Sequence, residues 1–116
     1  VACSFCQEFG IDENEMFRIA EGFGLGMSVM EMCGALSGMA MIIGLSNSRG
    51  NTEEGSGSKG DTYKKLRTYI QKFKEKNGSC ICRELKGVET GKVLCSCPQC
   101  ITDAVALTEE YLAENR

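Results

Sequence analysis

Residues 32–45 read Met-Cys-Gly-Ala-Leu-Ser-Gly-Met-Ala-Met-Ile-Ile-Gly-Leu, and this stretch decides the fold. It carries no charge, and Ser37 supplies its only hydroxyl group. Apolar side chains fall on every side of a helical projection, which predicts a helix surrounded by other helices. A bilayer span needs roughly 20 apolar residues, so we interpret this shorter run as a buried core helix.

One face of this helix is nearly bare of side chains, because Gly34 and Gly38 lie four residues apart. A neighbouring backbone can come close to such a face. Cys33 borders it. The thiol is either functional or an inert packed group, since free cysteine is among the most buried residue types and behaves as a small hydrophobe.

The composition restricts the chemistry. The chain has 116 residues, which predicts one domain with its own core, and its 13 basic and 16 acidic residues give no strong attraction to nucleic acid. Histidine is absent, which removes Ser-His and Cys-His pairs and imidazole metal ligands. Eight cysteines therefore make sulfur the expected reactive group.

The even cysteine count is also compatible with four disulfides in a secreted module. The long apolar core argues against this, because it supplies stability that disulfide-dense small domains lack. The sequence contains no signal segment and no membrane span. We therefore expect a cytoplasmic protein.

Four further helical pieces are predicted around the central helix by signals at their ends. These signals are Gly10, the Asp12–Glu15 capping pair, the glycine-rich segment 22–26, Asp61, Asn77-Gly78 and Pro98. The polar stretch 47–60 is predicted to be a mobile loop. With no strand pattern, the prediction is an all-α single-domain bundle of about five helices around the buried helix 32–45.

Two of these helices show which face they should bury. In the helix after Asp61, apolar residues recur at three- and four-residue steps, at Tyr63, Leu66, Ile70 and Phe73. The last helix should bury Ile101, Ala104, Val105, Thr108, Tyr111 and Leu112. The first of the two also has a basic face, which is either solvated or docks an acidic redox partner. That face consists of Lys64, Lys65, Arg67, Lys72, Lys74 and Lys76.

Five of the eight cysteines fall between Cys80 and Cys100, and three kinds of site compete for them. An iron–sulfur site needs only thiolates. A structural zinc site takes four thiolates, usually as knuckles with wider spacing than the 80/82 and 95/97 pairs. The third is a dithiol pair at Cys97 and Cys100, which form a C-x-x-C motif at the start of a predicted helix. The helix dipole there should favour the thiolate form of the first cysteine. The βαβ context of thioredoxin-like proteins is missing, however.

With these residues laid out, the chain resembles the small bacterial and archaeal family of redox-active proteins named for its C-GCAxxG-C-C cysteine pattern. Residues 33–38 look like the family's CGAxxG signature, 82–85 resemble its third cysteine site, and Cys97-Pro98 resembles the fourth. The first family cysteine would precede Val1, so we expect the sequence to lack its start. Cys3 and Cys6 are additional cysteines by this comparison.

The resemblance implies a redox function, with an iron–sulfur centre held by Cys33, Cys82, Cys97 and an upstream cysteine. Gly34 and Gly38 would then let a cluster or a partner loop approach the helix backbone. The leading hypothesis is electron transfer or redox sensing. The alternatives are a thiol–disulfide oxidoreductase using Cys97 and Cys100, and a zinc-stabilised interaction module.

The expected partner is a redox protein. We expect no nucleic-acid partner for this chain and no membrane span within it. Whether the protein is an enzyme is left open, as is its oligomeric state, with a homodimer among the options.

Overall fold

The computed structural model describes residues 1–115, and the prediction of an all-α fold is confirmed. Six α-helices occur in this part of the chain: α1 (Ala2–Phe5), α2 (Glu13–Ala20), α3 (Gly34–Asn47), α4 (Lys59–Asn77), α5 (Cys82–Lys86) and α6 (Cys97–Asn115). Short 3₁₀ segments cover Cys6–Phe9 and Glu21–Phe23, and Gly26–Met30 forms an irregular turn. Instead of strands, residues 1–115 show only two isolated bridges, Met32 with Ile81 and Asn51 with Gly55.

Helix α3 is the centre of the fold and packs against α6, α4 and α1. Leu36, Met39, Ile42 and Ile43 are almost completely buried. The predicted start at Met32 is two residues early: Met32 pairs with Ile81, and extended Cys33 immediately precedes the first helical residue. The helix is also not covered all round, because Leu45 near its end is 38% exposed.

Most predicted helix ends agree with the structure. Gly10 and Gly78 end their helices in the left-handed conformation, with φ values of 75° and 84°. The Asp12 carboxylate accepts a hydrogen bond from the Glu15 N–H at 3.0 Å, as expected of an N-cap.

The predicted cap at Asp61 is wrong. Helix α4 begins earlier, at Lys59, after the buried Ser58, whose hydroxyl accepts a hydrogen bond from the Arg49 N–H at 2.9 Å. Asp61 lies inside the first turn, where a carboxylate still interacts favourably with the helix dipole. The loop predicted at 47–60 is shorter at both ends, because α3 continues through Asn47 and α4 begins at Lys59.

In α4 and in α6, one residue predicted to be buried is exposed, and other residues are buried that were not predicted. Tyr63 is 54% exposed, whereas Tyr69 is buried, because α6 packs on the face that carries Tyr69. The rings of Tyr69 and Tyr111 meet edge to face with centroids 5.6 Å apart. In α6, Ile101 is 49% exposed, and Cys100 and Asp103 are buried instead.

Part of the basic face of α4 is used within the fold. Lys72 pairs with Glu110, and Lys76 pairs with Asp103 at 2.7 Å, so these two lysines join α4 to α6. Across residues 1–115, no helix combines the length and the apolar content needed to cross a membrane.

Candidate functional site

Five cysteines from four parts of the chain line one cavity of about 300 Å³, which we call the thiol cavity. They are Cys33, Cys82, Cys95, Cys97 and Cys100. The three ligands predicted from the sequence are therefore brought together, as are both cysteines of the predicted dithiol pair. Cys95 was not predicted as a site residue, although its position two residues before Cys97 was an available signal.

Backbone hydrogen bonds bring Cys33 and Cys82 side by side. The Cys33 N–H donates to the Cys80 carbonyl at 2.9 Å, and the Cys82 N–H donates to the Glu31 carbonyl at 2.5 Å. These bonds flank the antiparallel bridge between Met32 and Ile81. The segment before α3 and the segment before α5 therefore cross at the cavity.

A second set of backbone bonds brings Cys95 to the same place. The Leu85 carbonyl accepts hydrogen bonds from the N–H groups of Leu94 and Cys95, at 3.0 and 3.3 Å. The intervening chain turns back at Gly87, whose φ of 71° suits glycine. A Cβ atom there would lie 2.3 Å from the Lys92 carbonyl oxygen, so this turn requires glycine on steric grounds as well.

Two of the cavity thiols lie at the N-terminal ends of long helices. Cys33 directly precedes α3, and Cys97 is the first residue of α6. The Ser96 hydroxyl accepts the Gln99 N–H at 3.3 Å and so begins α6 in the manner of an N-cap. Each helix N-terminus carries a partial positive charge, so two helix ends face the cavity with positive potential.

Of the described residues that line the thiol cavity, Lys86 alone has a charged side chain. Burial raises the pKa of the Cys82 thiol, and Lys86 opposes this effect by stabilising the thiolate. The neighbouring thiols of Cys33 and Cys97 raise it further. The fixed charges around the cavity therefore suit an anionic occupant.

Cys97 and Cys100 differ sharply in their surroundings. Cys97 is exposed, whereas Cys100 is 3% exposed and its thiol points at the Cys95 carbonyl oxygen, 3.8 Å away. Burial strongly raises the pKa of Cys100, and the adjacent Cys95 and Cys33 thiols raise it further. At neutral pH Cys100 is a protonated thiol, held one helical turn behind an accessible one.

The glycines proposed to admit a cluster or a partner loop make close contact with protein backbone. A Cβ atom on Gly34 would lie 2.8 Å from the Phe23 carbonyl oxygen, and one on Gly38 would lie 3.1 Å from the Ala2 nitrogen. Gly34 also lines the thiol cavity, whereas Gly38 lies against α1.

All eight cysteines are free thiols. Within residues 1–115, no three Cys, Asp or Glu side chains stand close enough together to hold a metal ion as the side chains are placed. Cys80 is buried in the hydrophobic core. Cys3 and Cys6 lie on α1 and at its end, in a second cluster with α2.

An all-α, histidine-free domain with five thiols around one cavity is a cysteine-rich protein whose accessible chemistry is that of sulfur. The family described as "Putative redox-active protein (C_GCAxxG_C_C)" matches residues 1–111, so the chain belongs to that family. The resemblance found in the sequence is thereby confirmed. No curated protein and no solved structure matches the chain.

Proposed function

We propose that the thiol cavity holds an iron–sulfur group through Cys33, Cys82 and Cys97, and that the protein transfers electrons or senses redox state. The observation that carries this proposal is that Cys33 and Cys82, which are distant in sequence, meet the three cysteines of residues 95–100 at one cavity. Inert packed cysteines need no common location, whereas thiolate ligands of one group must share one.

The residues present suit such a group in their chemistry. All the candidate donors are sulfur, which is the usual ligation of iron–sulfur clusters. Two helix N-termini and Lys86 supply positive charge to balance the thiolates. When bound, the group would supply one-electron chemistry.

The cavity also has enough thiols for a fourth ligand. Cys95 and Cys100 both line it, beside the three cysteines already assigned. Either of them could supply the fourth thiolate.

The remaining wall residues would control access and polarity. Leu25 and Ile101 line the cavity and are each about half exposed, so they form an apolar rim at its opening. Ala35 and Leu85 line it too and limit the water around the sulfurs. Low local polarity and backbone N–H groups at the helix starts are the features by which proteins set the potential of such centres.

Serine variants of the chain, reconstituted anaerobically with iron and sulfide, test the ligand set. Cys33→Ser, Cys82→Ser and Cys97→Ser should each reduce bound iron and labile sulfide or change the electron paramagnetic resonance spectrum of the reduced protein. Cys3→Ser is the matched control and should leave both unchanged, because Cys3 lies outside the thiol cavity. Unaltered spectra and iron content in all three cavity variants would refute the assignment.

A second function, thiol–disulfide exchange, is favoured by the exposed Cys97 and the buried Cys100 one helical turn behind it. The Cys97 thiolate would attack a substrate disulfide, forming a mixed disulfide and releasing one substrate thiol. The Cys100 sulfur would then displace the second substrate sulfur and pass its proton to it, leaving a Cys97–Cys100 disulfide and a free substrate thiol. The substrate gains the two electrons that the pair loses.

Cys100→Ser tests this alternative, because removal of the second thiol should trap the mixed disulfide on Cys97. Cys95→Ser is the matched control, since Cys95 is also buried in the cavity and its loss should trap nothing. Unchanged reductase activity in the Cys100→Ser variant would exclude the exchange mechanism.

A further inference from the structure

A second group of sulfur atoms lies between α1, α2 and α3, outside the thiol cavity. Cys6 and Met16 are buried there with Ala2, and Cys3, Ile11 and Met41 pack against them. We call Cys3, Cys6, Met16 and Met41 the α1–α2 sulfur cluster. It combines two thiols with two thioethers, the soft ligands that select Cu(I).

The two thiols of this cluster lie close together in the chain and pack in the same cluster. Cys3 and Cys6 are three residues apart, which places them on one side of the helical turn. The Cys6 thiol lies 3.8 Å from the Cys3 carbonyl oxygen, and the Cys3 thiol lies 3.8 Å from the Glu13 carbonyl oxygen. The Cys3 side chain is therefore directed at the first residue of α2, and the Cys6 side chain at the backbone of Cys3.

The electrostatic surroundings are opposite in sign to those of the thiol cavity. The acidic residues Asp12 and Glu13 adjoin the cluster, and the Glu13 carbonyl oxygen lies 3.8 Å from the Cys3 thiol. Negative charge beside the thiols favours a bound cation. The acidic residues therefore point to cation binding rather than to a second dithiol enzyme site.

The cluster has a route for entry. Cys6 is fully buried, whereas Cys3 is partly exposed and lines a separate cavity of about 300 Å³. Met41 and the carboxylate-bearing Glu21 line this cavity too. A cation could thus reach the Cys3 sulfur from this cavity.

We propose that the α1–α2 sulfur cluster binds one Cu(I) ion through the thiolates of Cys3 and Cys6, with the thioethers of Met16 and Met41 beside it. Two sulfur–copper bonds form while the two thiol protons leave to solvent, and the oxidation state of copper does not change. Structural zinc normally requires four nitrogen, oxygen or sulfur ligands, so a site with two thiols fits Cu(I) better. The proposal is independent of the occupant of the thiol cavity.

Methionine methyl signals test the site in the unaltered chain. The protein labelled with methyl-¹³C methionine is titrated anaerobically with Cu(I) to saturation and followed by NMR. The Met16 and Met41 signals should shift, whereas those of Met39 in the core and Met27 on the surface should stay in place. Copper bound with the Met16 and Met41 signals unmoved would overturn the proposal, because the ion would then occupy other thiols.

Cys3→Ser provides the second test, and it spares the fully buried Cys6. Competition with a chromophoric Cu(I) chelator should show at least a tenfold loss of affinity for one copper equivalent, and the two methionine shifts should disappear. Cys97→Ser is the matched control and should keep both shifts. Retention of the shifts and of the full copper affinity in Cys3→Ser would refute the site.

Discussion

Asp103 joins the first turns of α6 to the end of α4, and its replacement by asparagine should destabilise the fold measurably. Its buried carboxylate accepts hydrogen bonds from Lys76 Nζ at 2.7 Å, Gln99 Nε2 at 2.8 Å and Asn77 Nδ2 at 3.2 Å. Gln99 lies between Cys97 and Cys100, so the same carboxylate also holds the C-x-x-C turn in place.

The expected loss follows from these three bonds. A hydrogen bond to a charged group contributes about 1.5–3 kcal/mol, but the Lys76 side chain is 63% exposed, which limits that pair to about 1 kcal/mol. Asparagine retains one acceptor oxygen and places an NH₂ group against donors. We therefore expect Asp103→Asn to lower the free energy of unfolding by about 2 kcal/mol and the Tm by roughly 8 °C.

The pH dependence gives the prediction a second, independent check. Burial alone would raise the pKa of Asp103, but hydrogen bonds from Lys76, Gln99 and Asn77 outweigh it and hold the pKa below its ordinary value of 3.8. A depressed carboxyl pKa stabilises the fold above the unfolded value and ceases to do so as the pH falls through the folded value. The difference between wild type and Asp103→Asn should be complete at neutral pH and shrink below pH 3.8.

Urea denaturation at a series of pH values measures both quantities. Asp61→Asn is the matched control, because Asp61 is exposed and its loss should have a much smaller effect. A neutral-pH loss well under 1 kcal/mol, or a loss that stays constant into the acid range, would show that the carboxylate does not hold α6 as described.

Three further substitutions probe the thiol cavity and the irregular turn Gly26–Met30 beside it. Gly26→Ala should destabilise the fold strongly in urea denaturation, because a Cβ atom would lie 2.6 Å from the Glu31 nitrogen and 2.8 Å from the Cys82 Cβ at a φ of +59°; a neutral effect would mean that the loop can move aside. Ser28→Gly should raise the free energy of unfolding by about 0.5–1 kcal/mol, since Ser28 has a φ of 67° that glycine adopts without strain; a loss of stability would contradict this conformation. Lys86→Gln should raise the pKa of Cys82, because Lys86 stabilises its thiolate; an unchanged pH profile of Cys82 alkylation, followed by mass spectrometry, would disprove the interaction.

The helical architecture was predictable because its signals are local. The uncharged run 32–45, the Asp12 cap and the glycine stops at Gly10 and Gly78 each act within a few residues. The start of α4 was not predictable in the same way. Asp61 is an ordinary cap by its residue type, and the burial of Ser58 against the Arg49 backbone, which favours the earlier start, depends on tertiary packing.

The candidate site was predictable in part. The density of cysteines and the family resemblance singled out Cys33, Cys82 and Cys97, and these do share a cavity. These three cysteines are brought together by long-range backbone hydrogen bonds, such as the one from the Cys33 N–H to the Cys80 carbonyl. Bonds of this kind leave no local signal in the sequence. The exposure of Ile101 at the cavity rim was missed for a similar reason, because helical periodicity alone does not distinguish a core face from the wall of a cavity.

Iron and labile-sulfide analysis, with a visible absorption spectrum, tests the central claim most directly. The protein should be prepared and reconstituted anaerobically, and zinc should be measured in the same samples. We expect iron and sulfide in matching amounts with sulfur-to-iron charge-transfer absorption, both lost in Cys33→Ser. Protein without iron or sulfide, or with stoichiometric zinc and no sulfide, would contradict an iron–sulfur function for the thiol cavity.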